Sequence, residues 1–195
     1  MSVRVVVLPP VPALLPAYRG RHDPVAGLRT ACHAAVAWLA GGEESPVTVL
    51  ADPPDEAARR RGTGVPLGLR VARDLLAGVA VPGRLDEVEA RHGEVPDRRL
   101  LVLANGSGCR SEKAPGHLDP RAFDFDERIE KALARGDNAV LAGLDAGLGR
   151  DLLAAGVEQL RRLGAMGLDV RSAELLYADD PYGVRYWVAT WQITT

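Results

Sequence analysis

The sequence is poor in cysteine, in lysine and in long apolar runs, and each shortage excludes something. Two cysteines, Cys32 and Cys109, are too few and too far apart for a disulfide framework or a cysteine-rich zinc site. Of the 24 basic residues only Lys113 and Lys131 are lysines, and 26 acidic residues leave a net charge of −2. That near balance lacks the electrostatic footprint of a nucleic-acid binder. No apolar stretch approaches the ~20 residues of a membrane span. Residues 1–8 show no secretory pattern, because the apolar run Val5 to Leu8 is short and prolines follow it at once. The expectation is a cytoplasmic protein with neither nucleic acid nor membrane as partner.

What is there is globular. The 195 residues, 47% hydrophobic and 26% charged, suit one domain over 1–195. Val3 to Leu8 is a valine-rich run, apolar except for Arg4, as expected of a strand covered on both faces. Pro9, Pro10, Pro12 and Pro16 then predict an irregular loop. Asp23-Pro24 opens a helix whose apolar face is Leu28, Cys32, Ala35, Val36 and Leu39, and Gly41-Gly42 ends it. Val47 to Leu50 and Leu100 to Ala104 read as further short strands, with a helix from Pro66 to Gly78 between them.

Asp119-Pro120 repeats the helix-start signature, with Phe125, Ile129 and Leu133 as the buried face and Gly136 as C-cap. One or two helices follow between Asp145 and Gly164. Two strands, Asp169 to Tyr177 and Val184 to Ile193, close the chain around a Pro/Gly turn that makes them antiparallel partners. Tyr182, Tyr186, Trp187 and Trp191 are expected to serve the core and this final sheet. The pattern predicts an α/β fold, with a mixed, mostly parallel sheet flanked by helices and two antiparallel terminal strands.

In open α/β sheets ligands gather beyond the carboxyl ends of the strands. The loop after the third strand is the richest there. Asn105, Ser107, Cys109, Arg110, Glu112 and Lys113 fall within nine residues, and Gly106 and Gly108 allow a nest of N–H groups for an anion. The bland reading is a polar turn whose Arg110, Glu112 and Lys113 make solvated ion pairs. A phosphate loop is a poor fit, because the third glycine of G-x-G-x-x-G would fall at Ser111 and no helix follows directly.

Of the four histidines, His22, His33, His92 and His117, no two have the local spacing of a metal clamp. His117 follows the 105–113 loop and is the one best placed to reach a site. Cys32 reads as an inert core residue, whereas Arg110 and loop amides beside Cys109 would favour a thiolate with His117 as its base. Asp52, Asp179 and Asp180 could offer oxygens to a hard cation, although each is more often a turn or cap residue.

The stretch LVLANGSGCRSEKAPGHLDPRA, Leu101 to Ala122, resembles the class III extradiol ring-cleavage dioxygenase family, in particular a short actinobacterial branch. Val5 to Pro16, the helix around Leu28 to Cys32, Asp180 to Val184 and Val188 to Trp191 extend the resemblance, with gaps, over nearly the whole chain. It implies an α/β fold and, in active members, an Fe(II) site of two His and one Glu, with a further His as acid/base, that opens a catechol ring with O₂. This chain departs from that pattern. Pro9, Pro10 and Val11 stand where the first ligand His is expected, and Asp52-Pro53-Pro54 where the second is expected. Cys109 or Arg110 stands near the acid/base position, and Glu174 is the only acidic residue inside the penultimate strand.

Three readings follow. The first is a family member that has lost the Fe(II) site and serves as a small-ligand-binding or assembly protein, with no cofactor and with a homo-oligomer as one form it could take. The second is an enzyme with a rebuilt site, using Cys109, Arg110 and His117 for catalysis and Asn105, Ser107, Glu112, Lys113 and Asp52 for substrate. It would use Fe(II) if the family chemistry survives. The third is a nucleotide-binding α/β protein.

Overall fold

Val3, Val5 and Val7 lie in one apolar core and Val6 and Leu8 in another, and all five are buried. The period of two along a strand sends alternate side chains to opposite faces, so this segment has to run between two cores. The computed structural model describes residues 2–18, 23–41, 47–54, 65–79 and 99–194. In them the segment is strand β1 (Ser2–Leu8), the centre of a five-stranded sheet.

The other strands are β2 (Thr48–Leu50), β3 (Arg99–Leu103), β4 (Val170–Asp179) and β5 (Tyr186–Thr194). Their order across the sheet is β2-β3-β1-β5-β4. β3 pairs in parallel with both β1 and β2, whereas β5 is antiparallel to β1 and to β4. The expected mixed α/β sheet with antiparallel terminal strands is present. The described residues form six α-helices around it.

One face carries α1 (Ala26–Ala40) and α2 (Leu67–Ala77). Leu28, Cys32, Ala35, Val36 and Leu39 of α1 are fully buried against it, as the stripe requires. Each such aliphatic side chain of Leu or Val size contributes roughly 1.5–3 kcal/mol. The carbonyls ending α1 take cations from the strands: Arg4 donates to Trp38 O and Gly41 O, and Arg99 to Ala40 O. α1 has no basic residue of its own in its last turn, so these arginines complement its dipole.

The opposite face carries α3 (Arg121–Arg135), α4 (Asn138–Ala142), α5 (Ala146–Asp151) and α6 (Val157–Ala165). Phe125, Ile129 and Leu133 of α3 are buried there together with Trp187 and Trp191 of β5. Trp191 Nε1 donates to Leu133 O at 2.7 Å, which ties helix to sheet. Gly136 ends α3 at φ 70°, as its position predicts. No described helix is long and apolar enough to cross a membrane.

Three expectations need correction. The proline loop is not irregular throughout, because it forms 3-10 turns at Pro12–Leu14 and Pro16–Tyr18, each led by a proline. Arg29 holds the first of them, donating to Leu14 O and Ala13 O, and pairs with Asp23 at 2.9 Å. α1 begins at Ala26 rather than at Asp23-Pro24, because Asp23 Oδ1 accepts the Val25 N–H in a preceding turn. The short α4 had no sequence signal beyond Asp137, which caps it by accepting the Val140 N–H. His22, His92 and Gly42 lie outside the described residues.

Candidate functional site

The segment after β3 leaves the sheet at the carboxyl end of the parallel strands. Antiparallel β5 starts at the same end, since Val7 pairs with Ala189 and Asp179 with Tyr186. The β4–β5 turn is therefore brought beside the 105–110 segment. The two bond reciprocally: Gly106 N–H donates to Arg185 O, Arg185 N–H to Ser107 O, and Arg110 N–H to Gly183 O. Gly106 is required by this approach, because a Cβ there would lie 2.7 Å from Arg185 Cβ and from Trp187 Cη2.

The segment is buried rather than a solvated turn, and Ser107 is wholly inaccessible. Its amides from Asn105 to Gly108 are committed. Those of Asn105 and Gly108 donate to Ala155 O and Leu152 O, and that of Ser107 donates to Asp126 Oδ1 at 2.7 Å. An anion-holding nest is thus not available, since a carboxylate of the chain and backbone carbonyls already take these donors.

Asp126 is 1% exposed and organises the site. Besides the Ser107 amide it accepts the Ser107 hydroxyl at 2.6 Å and Arg110 Nη1 at 3.1 Å. Burial pushes its carboxyl above the ordinary aspartate range, while Ser107 and Arg110 pull it back. A buried carboxylate is tolerable only with such partners.

From Arg110 the ion pairs continue. Its Nε donates to Asp180, its guanidinium lies over the Phe123 ring at 4.6 Å, and Asp180 lies 4.0 Å from Arg185 Nη1. Arg185 in turn donates twice to Glu130 Oε2, at 2.5 and 3.1 Å, and Trp187 Nε1 donates to the same oxygen at 3.1 Å. Asp126 and Glu130 stand one turn apart on α3, which closes the circuit. The chain Asp126–Arg110–Asp180–Arg185–Glu130 borders a recess of about 290 Å³ lined by Arg110, Phe123, Asp126, Glu127, Glu130 and Arg185.

Of the residues singled out in sequence, Arg110 and Ser107 belong to this arrangement. Arg110 makes no solvated pair with Glu112; Glu112 and Lys113 are exposed. Asn105 is buried and donates to Gly106 O. Cys109 is buried with its thiol donating to Leu152 O at 3.4 Å, and burial, then Asp119 and Asp126, push that thiol up. The thiolate-favouring surroundings expected of it are absent, because Arg110 turns to Asp126 and Asp180. His117 is exposed at φ 57°, with Nδ1 3.3 Å from Glu112 O.

Asp52 serves α6. Its Oδ2 accepts the Gly156 N–H at 2.7 Å and its Oδ1 accepts from Gln159 at 3.1 Å. Gly156 has φ 73° and abuts Ala104, so only glycine suits that junction. Cys32 is a core residue whose thiol burial pushes up to about 12.

An imidazole-based Fe(II) triad does not fit the donors at the described loop positions. Pro9 and Val11 are buried, and the loop they begin buries Leu14 and Leu15 as core. Both Asp52 oxygens already accept hydrogen bonds. Glu174 is exposed on the edge strand β4. Among the described residues no three His, Cys, Asp or Glu side chains are grouped to hold a metal ion.

Sequence reasoning missed Asp126, Glu130, Arg185 and Phe123 as site residues. One signal was present: Asp126 falls inside the apolar stripe Ala122, Phe125, Ile129 and Leu133, where an acid must find partners. No family model and no curated protein matches this sequence.

Proposed function

We propose that this chain is an extradiol-dioxygenase-like protein that has left Fe(II) ring cleavage behind and binds a small polar ligand. The observation that carries this reading is the recess of about 290 Å³ between α3 and the β4–β5 turn, bordered by ion-paired Arg110 and Arg185. Its volume falls just below the ~300–1,000 Å³ typical of ligand pockets, as suits a small ligand, and its location obeys the rule for open α/β sheets. The departures at Pro9, Pro10, Val11 and Asp52 support the loss of ring cleavage. A cytoplasmic setting suits the two free, buried cysteines.

The test is a fragment screen observed by protein NMR, with shifts mapped onto residues 107–110, 123–130 and 183–187. Hits that cluster there and vanish in Arg185→Ala support the reading. Binding confined to other surfaces, or steady cleavage of a catechol by the Fe(II)-loaded protein, would overturn it.

A further inference from the structure

Resting on the recess as a ligand site, we infer that its occupant is a small organic cation, an ammonium or guanidinium group seated against α3. α3 presents Phe123, Asp126, Glu127 and Glu130 to the recess, facing Arg110 and Arg185. With Asp180, which bridges the two arginines, two guanidiniums stand among four carboxylates. Lys131, bonded to Glu127 at 2.7 Å on the exposed side of α3, still leaves an excess of one negative charge.

Donors and acceptors lean the same way. The loop amides that would hold an anion already donate to carbonyls and to Asp126. Arg110 is aligned on Asp126 and Asp180, and Arg185 on Glu130, so an incoming anion would have to compete with carboxylates in place. Glu130 is lopsided: Oε2 accepts three hydrogen bonds, while Oε1 accepts none among the described residues. Glu130 lines the recess, so a donor entering it comes beside this carboxylate. Phe123 carries the Arg110 guanidinium on its ring and remains 43% exposed beside the recess, a wall against which the alkyl part of such a ligand can pack.

Trp187 Nε1–H, bonded to Glu130, is a built-in reporter. The experiment follows its indole ¹H–¹⁵N resonance while n-butylammonium, n-butyrate or n-butanol is added at matched ionic strength. The expected result is a saturable shift with n-butylammonium at an affinity at least ~5-fold above the other two, the scale of one charge interaction in water. Glu130→Gln and the exposed Glu127→Gln should each weaken n-butylammonium binding, and the second leaves the buried network untouched.

Equal or tighter binding of n-butyrate or n-butanol at this resonance would overturn the cation assignment while leaving the recess a ligand site. No shift with any of the three also overturns the assignment. The broader fragment screen then decides the recess reading on its own.

Discussion

Ser107 gives both of its polar hydrogens to one carboxylate: its amide donates to Asp126 Oδ1 at 2.7 Å and its hydroxyl to Oδ2 at 2.6 Å. Both residues are buried, so the pair fixes the loop after β3 directly against α3. Ser107→Ala removes the hydroxyl and leaves the Asp126 carboxylate short of a partner. The expected loss is about 1.5–3 kcal/mol, the range for hydrogen bonds to charged groups. Urea unfolding at pH 7 measures it; an unchanged midpoint would mean that the hydroxyl is dispensable.

The Asp126 carboxyl should titrate above 3.8, because burial outweighs the opposing hydrogen bonds and Arg110. A raised carboxylate binds its proton more tightly folded than unfolded. Its contribution to stability is therefore full below 3.8 and declines as pH rises through the native value. Carboxyl ¹³C NMR reads the titration directly, and Ser107→Ala should raise it further by removing a stabiliser of the charged form. A value at or below 3.8 would contradict the burial argument.

Gly106→Ala tests the approach of the 105–110 segment to the β4–β5 turn. The added methyl would lie 2.7 Å from Arg185 Cβ and Trp187 Cη2, closer than contact allows. Overpacking of this kind costs roughly 1–3 kcal/mol. Thermal unfolding should show the loss, together with a displaced Trp187 indole resonance. Wild-type stability in this variant would mean that the turn yields freely.

The cysteines should be inert in the native protein. Burial pushes the thiols of both Cys32 and Cys109 up, so neither supplies a thiolate near neutral pH. A thiol-specific disulfide reagent at pH 7.5 should label neither until denaturant is added. Rapid labelling of Cys109 in the native state would reopen Cys109-based chemistry.

Much of the fold was legible because its signals are local. The α1 stripe from Leu28 to Leu39, the β-branched run of β1, the Gly136 cap and the closing antiparallel pair all follow from spacing within one segment. Boundaries were less legible, since Asp23 serves both a turn and Arg29, which comes six residues later. The site was half legible. The 105–113 loop drew attention through its functional groups, yet the partners of Ser107 and Arg110 lie 16 to 70 residues away.

The sequence by itself determined that the chain makes an α/β sheet with helices on both faces, because burial of apolar stripes at periods of 2 and 3.6 leaves few other layerings. It also determined that no imidazole stands at positions 9–11 directly after the first strand, where Pro9, Pro10 and Val11 stand. Only the tertiary structure decided that Arg110 turns inward to Asp126 and Asp180 while Glu112 and Lys113 remain exposed. The reason is that a buried charge is set by what other segments bring to it. Here α3 and the β4–β5 turn supply carboxylates at hydrogen-bonding distance, which no spacing within the loop encodes.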